Sequence, residues 1–204
     1  MPVEKLSQPS AAHEHLERDP TMADLLAHHG YLTPEPAPDP FRRLVRSVLR
    51  QQVSMAAAEA IWERLTDQFD VTPEAMQAAD PDALQAVGLS EAKSEYVQAV
   101  ATAFEEGWSR DAFAGLDDGT VIERMTDVQG IGPWTAKMFL IFGLGREDVF
   151  PVEDLGIRRA MDSLFDTGTR HEMRERAEDW QPYRTHASLY LWRHAESGSE
   201  TDAR

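Results

Sequence analysis

Between residues 41 and 49 the apolar positions are Phe41, Leu44, Val45, Val48 and Leu49, a spacing of three and four that predicts one buried stripe on a helix. Arg42, Arg43, Arg46 and Arg50 fall on its other faces, and Asp39-Pro40 supplies an N-cap followed by proline at the first helical position. The same pattern of starts and stops recurs along the chain. Thr21 to His28 reads as a short helix stopped by Gly30, and 32–40 as a proline-rich connector. Ser54 caps a helix over 55–69, Thr72-Pro73 and Asp80-Pro81 open two short helices, and Ser90 caps a longer one ending near Gly107. A helix near 120–127 leads into Gly130-Ile131-Gly132-Pro133, after which an apolar helix runs from Trp134 to Gly143. Beyond a loop over 145–153, helices are expected at about 154–165, 170–179 and 183–195. Period-two alternation is scarce, so the expected fold class is all-α. Residues 1–20 and 196–204 read as mobile tails around a helical body over 21–195.

Composition narrows the function classes. The 204 residues contain no cysteine, which excludes disulfides, thiol catalysis, Cys-ligated zinc and an iron–sulfur cluster. No apolar run reaches the length of a membrane span, and the first residues carry no apolar core of a secretion signal, so the expected location is the cytoplasm, with no membrane partner. Net charge is −16, and the basic residues are three Lys against seventeen Arg, a halophilic composition. Such a charge argues against nucleic acid as a partner, but the acid is unevenly spread. Residues 66–125 carry −10 whereas 41–65 carry +3. A DNA-facing surface therefore remains compatible with the sequence.

Two segments carry candidate chemistry. In VQGIGPWTAKM (128–138), two glycines one residue apart leave a turn free of side chains, and Pro133 starts a helix whose first N–H groups point outward. Such a turn can present amides to a phosphate oxygen, or simply join two helices. In VFPVEDLGIRRAM (149–161), Asp154 stands where an irregular stretch enters a helix. It is either an N-cap or a carboxylate placed to stabilise positive charge on a reacting substrate; Ile157 three residues later rules out a reciprocal capping box. The seven histidines show no metal-binding spacing.

Four blocks in order, FRRLVRSVLRQQVSMAAAEAI (41–61), VGLSEAKSEYVQAVA (87–101), VQGIGPWTAKMFLIFGLGREDVFPVEDLGIRRAM (128–161) and WQPYRTHASLYLWR (180–193), resemble the helix–hairpin–helix (HhH-GPD) DNA glycosylase superfamily, and most closely its 3-methyladenine DNA glycosylase II, or alkylated-base, branch. The resemblance implies a two-lobed helical fold with the active site in the cleft between lobes and the helix–hairpin–helix at about 120–144. It implies an EC 3.2.2-type hydrolase of base excision repair, a monomer that binds damaged double-stranded DNA and rotates the target nucleotide out of the stack. Asp154 corresponds to the family's catalytic carboxylate, with Glu153 one residue off the pattern. Trp134 and Trp192 match aromatic pocket positions, and Met138 and Leu155 stand where another member of the branch has tyrosines. Gly130, Ile131, Gly132 and Thr135 match the hairpin that holds the DNA backbone. Gln51-Gln52 matches the segment whose side chain fills the gap left by the flipped base, Gln52 being the better wedge. No cofactor is implied beyond a monovalent cation, K+ or Na+, on the backbone carbonyls of Thr126, Val128 and Gly130.

Each of these residues has a plainer reading: the tryptophans as core, the glutamines as an exposed helix end, Arg158-Arg159 as a solvated face. Bifunctional members of the superfamily carry a Schiff-base lysine directly before Thr-Ala. Trp134 occupies that position here and Lys137 lies three residues on, so the resemblance implies a monofunctional enzyme. The alternatives are a bifunctional glycosylase/AP lyase and a non-catalytic DNA-binding module.

Overall fold

A computed structural model describes residues 3–201. Within it the chain divides into two compact units, one made of residues 37–144 and the other of the residues up to Pro36 together with those from Gly145 on. The helical body expected over 21–195 is divided between these two units, and the second is assembled from both ends of the chain.

The unit over 37–144 is entirely helical. It contains α3 (Pro40–Leu49), α4 (Met55–Gln68), α5 (Pro73–Ala78), α6 (Pro81–Ala86), α7 (Glu91–Glu105), α8 (Arg110–Ala114), α9 (Asp118–Thr126) and α10 (Pro133–Phe139), which runs on into a π-helical turn, Leu140–Leu144. Nearly every start has the cap that its sequence advertises. Asp39 accepts from Arg42 N at 3.0 Å, Ser54 from Ala57 N at 3.2 Å and Ser90 from Lys93 N at 3.2 Å. Helix α3 lies at the centre, with Phe41, Leu44, Val45, Val48 and Leu49 all buried, and packs on α7, α10 and the π turn. Helix α8 is absent from the sequence reading because its five residues are too few to show a period, although Ser109 caps it. The π turn replaces the last turn of the helix expected over 134–143. Its displaced carbonyls find other donors: Ala37 N bonds Phe142 O at 2.7 Å and Arg110 Nη2 bonds Gly143 O at 3.1 Å.

The other unit holds β1 (Val3–Leu6), α1 (Ala11–Leu16), α2 (Pro20–His29), β2 (Tyr31–Pro34), α11 (Leu155–Phe165), α12 (Arg170–Ala177) and α13 (Arg184–Thr201). Strands β1 and β2 form one antiparallel ribbon, Val3 opposite Pro34 and Leu6 opposite Tyr31. Residues 3–20, expected to be a tail, are therefore structured. The physical reason is burial: Ala12, His13 and Leu16 are inside, His13 Nε2 donates to Leu32 O at 2.9 Å and Ser10 N donates to His13 Nδ1 at 2.9 Å. Asp19 caps α2 and also accepts from Arg176 and from Trp180 Nε1, tying the N-terminal helices to the end of α12. At the other end α13 continues to Thr201, past the boundary expected at 195; residues 202–204 of the expected tail lie outside the described residues.

Candidate active site and nucleic-acid interface

In the unit formed by the two ends of the chain, residues 146–149 are stitched to the start of α13. Thr185 Oγ1 donates to Arg146 O (2.7 Å) and accepts from Val149 N (3.0 Å), while Arg184 clamps Asp148 with Nε–Oδ1 of 2.7 Å and Nη2–Oδ2 of 2.9 Å. A tight turn follows, closed by Asp154 N to Pro151 O at 2.9 Å, with Val152 buried beneath it. This turn delivers Asp154 to the N-terminus of α11. Its Oδ1 accepts from Ile157 N at 3.1 Å, so the capping role is real. The same oxygen also accepts from Trp192 Nε1 at 2.9 Å. Cap and buried indole together fix the carboxylate in one orientation, as a preorganised electrostatic site requires. Trp192 is 6% exposed, whereas Leu155, the first residue of α11, is 52% exposed and so displays its side chain to solvent. Glu153 faces Arg174 at 3.8 Å.

Gly156 was not singled out from the sequence. A Cβ there would lie 3.1 Å from Asp154 Oδ1 and 3.4 Å from Trp192 Cδ1, so the missing side chain lets indole and carboxylate meet. The available signal was a glycine in the first turn of a helix, where it is otherwise unfavourable.

The other candidates lie in the unit over 37–144. Helices α9 and α10 flank the hairpin 127–132, in which Gly130 has φ +85° and sits directly on the ring of Tyr96. Ile131 is buried and its N–H donates to Val128 O at 3.1 Å, which anchors the turn. Gly132 caps α10, with nothing within 4 Å of where a Cβ would stand. The intrahelical ladder starts with Ala136 N to Gly132 O (3.0 Å), so the N–H groups of the first helical residues have no acceptor within the helix, at the positive end of its dipole. Thr135 is buried. Its Oγ1 accepts from Gln51 Nε2 at 3.0 Å, and Gln51 Nε2 also donates to Gly130 O at 2.8 Å.

Gln51 therefore braces the hairpin from beneath, its amide N–H donors committed to those two acceptors. Gln52 is the opposite case: exposed, at φ +56°, a left-handed conformation that a non-glycine residue adopts at a cost. Exposed Val53 and Met55 (57%) follow it. On α10, Met138 is buried and Trp134 half-buried.

Residues 45–183 match the family model described as HhH-GPD superfamily base excision DNA repair protein. DNA-3-methyladenine glycosylase 1 of Schizosaccharomyces pombe is 35% identical over 165 residues, covering 76% of this chain and 72% of the relative. A putative DNA-3-methyladenine glycosylase of Bacillus subtilis is 30% identical over 166 residues, covering 75% of this chain and 58% of the relative. Among solved structures, the S. pombe 3-methyladenine DNA glycosylase in complex with abasic DNA superposes with a TM-score of 0.83 at 31% identity, over 92% of this chain and 97% of that one. The fold, the matched span and these relatives agree: the chain belongs to the HhH-GPD superfamily of base excision DNA repair proteins.

Proposed function

We propose that this protein is a monofunctional DNA glycosylase that removes alkylated purines, of the 3-methyladenine and 7-methylguanine type, from duplex DNA of the cytoplasm, acting as a monomer. The observation that carries the reading is the doubly held Asp154 Oδ1, bonded at once to the α11 N-terminus and to the Trp192 indole. Breaking the bond between deoxyribose and base makes the sugar cationic, and a carboxylate that does not have to reorganise stabilises that charge as it forms. Water attacks the sugar carbon while the bond's electron pair leaves with the base. An N3- or N7-alkylated purine already carries a positive charge, so it departs as a neutral molecule without an acid. The base-pocket residues carried over from the resemblance are Trp134 and Met138 on α10 and, in the other unit, Leu155 and Trp192; an indole offers a face on which an electron-poor ring stacks.

The hairpin amides hold the DNA backbone, a grip that needs few cationic side chains and suits an acidic protein. Gln52, exposed and already in a strained turn with Val53 and Met55 beside it, fills the space that the rotated nucleotide leaves. A monovalent cation fits the hairpin: Val128 O and Gly130 O each accept one hydrogen bond and keep a second lone pair, and the carbonyl of Thr126 completes the set. Bound there, it would add positive charge facing a phosphate.

The test is release of free base from methylated duplex DNA by the wild type and by Asp154→Asn. Expected are release by the wild type, strands left intact until alkali is added, and no release by the variant. Covalent trapping by borohydride would establish the lyase reading instead, and equal affinity for intact and damaged duplex with no release would establish the binding module.

A further inference from the structure

Residues 52–57, with the sequence Gln-Val-Ser-Met-Ala-Ala, are exposed without a break and carry no charge. Val53 is 40% exposed and Met55 57%, two of the three large apolar side chains left open to solvent among the described residues. Met55 is the first residue of α4, and Ser54 caps that helix through Ala57 N at 3.2 Å. Cap and backbone fix the point from which the thioether side chain projects, and its exposure leaves it open to small reagents.

No other described sulfur is placed in this way. The chain has no cysteine, and the remaining described methionines are all in the core. Met22, Met76, Met125 and Met161 are 0% exposed, and Met138 and Met173 are 4% exposed. Met1 lies outside the described residues. Oxidation of sulfur follows access, so among the described residues Met55 is the one sulfur that a dissolved oxidant meets directly.

We propose that Met55 is an oxidation site that weakens the enzyme's grip on duplex DNA, its thioether being converted to a sulfoxide by a peroxide. This rests on the wedge role proposed above for the neighbouring Gln52. In the step, a sulfur lone pair attacks one peroxide oxygen, a sulfur–oxygen bond forms and the oxygen–oxygen bond breaks. The departing hydroxide takes the proton of the transferred hydroxyl and leaves as water. Sulfur gives up two electrons and the peroxide gains them; a thiol-dependent methionine sulfoxide reductase reverses the change.

The effect on DNA follows from solvation. A thioether set against unstacked bases gives up little when water leaves, as an apolar wedge should. A sulfoxide oxygen is a strong acceptor that must shed its water there, and the faces of bases offer it no donor in exchange. Leucine at position 55 keeps an apolar surface and has no sulfur to oxidise, which separates this side chain from every other oxidisable group in the protein.

The wild type, Met55→Leu, Met55→Gln and Gln52→Ala are compared before and after hydrogen peroxide by peptide mass mapping, melting temperature and affinity for abasic duplex. Met55 is expected to gain one oxygen before any buried methionine does, with the melting temperature unchanged and the affinity of the wild type about tenfold weaker. Treatment with the reductase and dithiothreitol is expected to restore that affinity. Met55→Leu is expected to stay within about twofold of its own untreated value. Untreated Met55→Gln, with a permanent polar group of similar length, is expected to bind about as weakly as the oxidised wild type. The wild-type and reductase arms carry the test if a variant does not fold.

A wild type oxidised at Met55 whose affinity stays within about twofold of the untreated protein overturns the proposal. If Gln52→Ala weakens binding in the same experiment, the wedge reading stands without it; if Gln52→Ala is silent as well, the wedge reading falls too. An equal loss in Met55→Leu overturns the proposal by placing the sensitive group elsewhere. Oxidation of buried methionines ahead of Met55 overturns it at the first step, and a loss of affinity that accompanies a lower melting temperature overturns it by making the effect one of unfolding.

Discussion

The indole Nε1 of Trp192 donates to Asp154 Oδ1 at 2.9 Å, the same oxygen that accepts Ile157 N at 3.1 Å. One atom therefore serves α11 as a cap and α13 as an anchor, which separates the structural from the chemical role of this side chain. Asparagine keeps an oxygen able to accept both bonds but has no charge. Asp154→Asn should hold its stability to within about 1 kcal/mol while base release falls at least about a hundredfold. Asp154→Ala loses the cap and strands the indole N–H, and should cost roughly 2–3 kcal/mol as well. Trp192→Phe retains the ring and loses only the donor, with an expected fall in release of about tenfold. Chemical denaturation and single-turnover release, measured on all three variants, check the set.

Gly156 predicts a different combination. Alanine is the better helix former by about 1 kcal/mol, yet its methyl would stand 3.1 Å from Asp154 Oδ1. Gly156→Ala should denature at equal or higher urea concentration and still release base more slowly, because the carboxylate must turn aside. A variant that is both more stable and fully active would show that the close approach is unimportant.

The two adjacent glutamines should respond in opposite ways. Gln51→Ala removes both bonds that its amide makes to Gly130 O and Thr135 Oγ1, leaves buried Thr135 without that donor, and should cost about 1–3 kcal/mol in denaturant unfolding. Gln52→Gly relieves a left-handed φ of +56° and should stabilise by up to about 1 kcal/mol, while slowing release from duplex DNA more than from a substrate with a mismatched, easily rotated base.

The hairpin glycines separate in the same manner. A side chain at Gly130 would have both a positive φ and the ring of Tyr96 against it, so Gly130→Ala should destabilise by about 2 kcal/mol or more. Gly132 has ordinary backbone angles and open space, so alanine there should leave the melting temperature nearly unchanged and weaken binding to abasic duplex. Melting curves and fluorescence anisotropy on the two variants are sufficient to distinguish these outcomes.

Most helix starts were legible because the chain spells its caps in side chains: Asp39-Pro40, Ser54, Thr72-Pro73 and Ser90 each cap the helix they announce. Asp154 was legible as a cap or a catalyst; its Oδ1 does cap α11, and the bond from Trp192 Nε1 to the same oxygen was not legible. What the sequence hid depends on contacts far along the chain. The N-terminal residues look like a polar tail until His13 is seen bonded to Leu32 O and close to His186. Gln51 looks like a solvent residue until the hairpin, some eighty positions later, folds over it. Arg43 looks like one more surface arginine among four until it is found buried against the Phe142 ring, since the spacing that identifies a helix face does not say which face a neighbouring aromatic will cover.

His186 gives the protein an acid limit that can be measured apart from activity. Its ring is buried beside His13, at 5.8 Å between centroids, and Tyr183, at 6.0 Å, and its Nδ1 has no hydrogen-bond partner. Burial first, and then the charge of His13, lowers its pKa from the ordinary 6.5 to about 4. Between these values the unfolded chain binds a proton that the folded protein refuses, so stability rises with pH through that window. The contribution is complete above about pH 6.5 and is lost progressively as pH falls toward 4, at a rate of up to about 1.4 kcal/mol per pH unit. Urea unfolding at pH 7 and pH 5 should therefore differ by roughly 2 kcal/mol from this residue. His186→Phe, which cannot take up a proton, should remove most of that difference while the carboxylate contributions stay in place. An unchanged pH dependence in the variant would locate the acid sensitivity elsewhere, with the caps and the Asp19–Arg176 pair as the next groups to test.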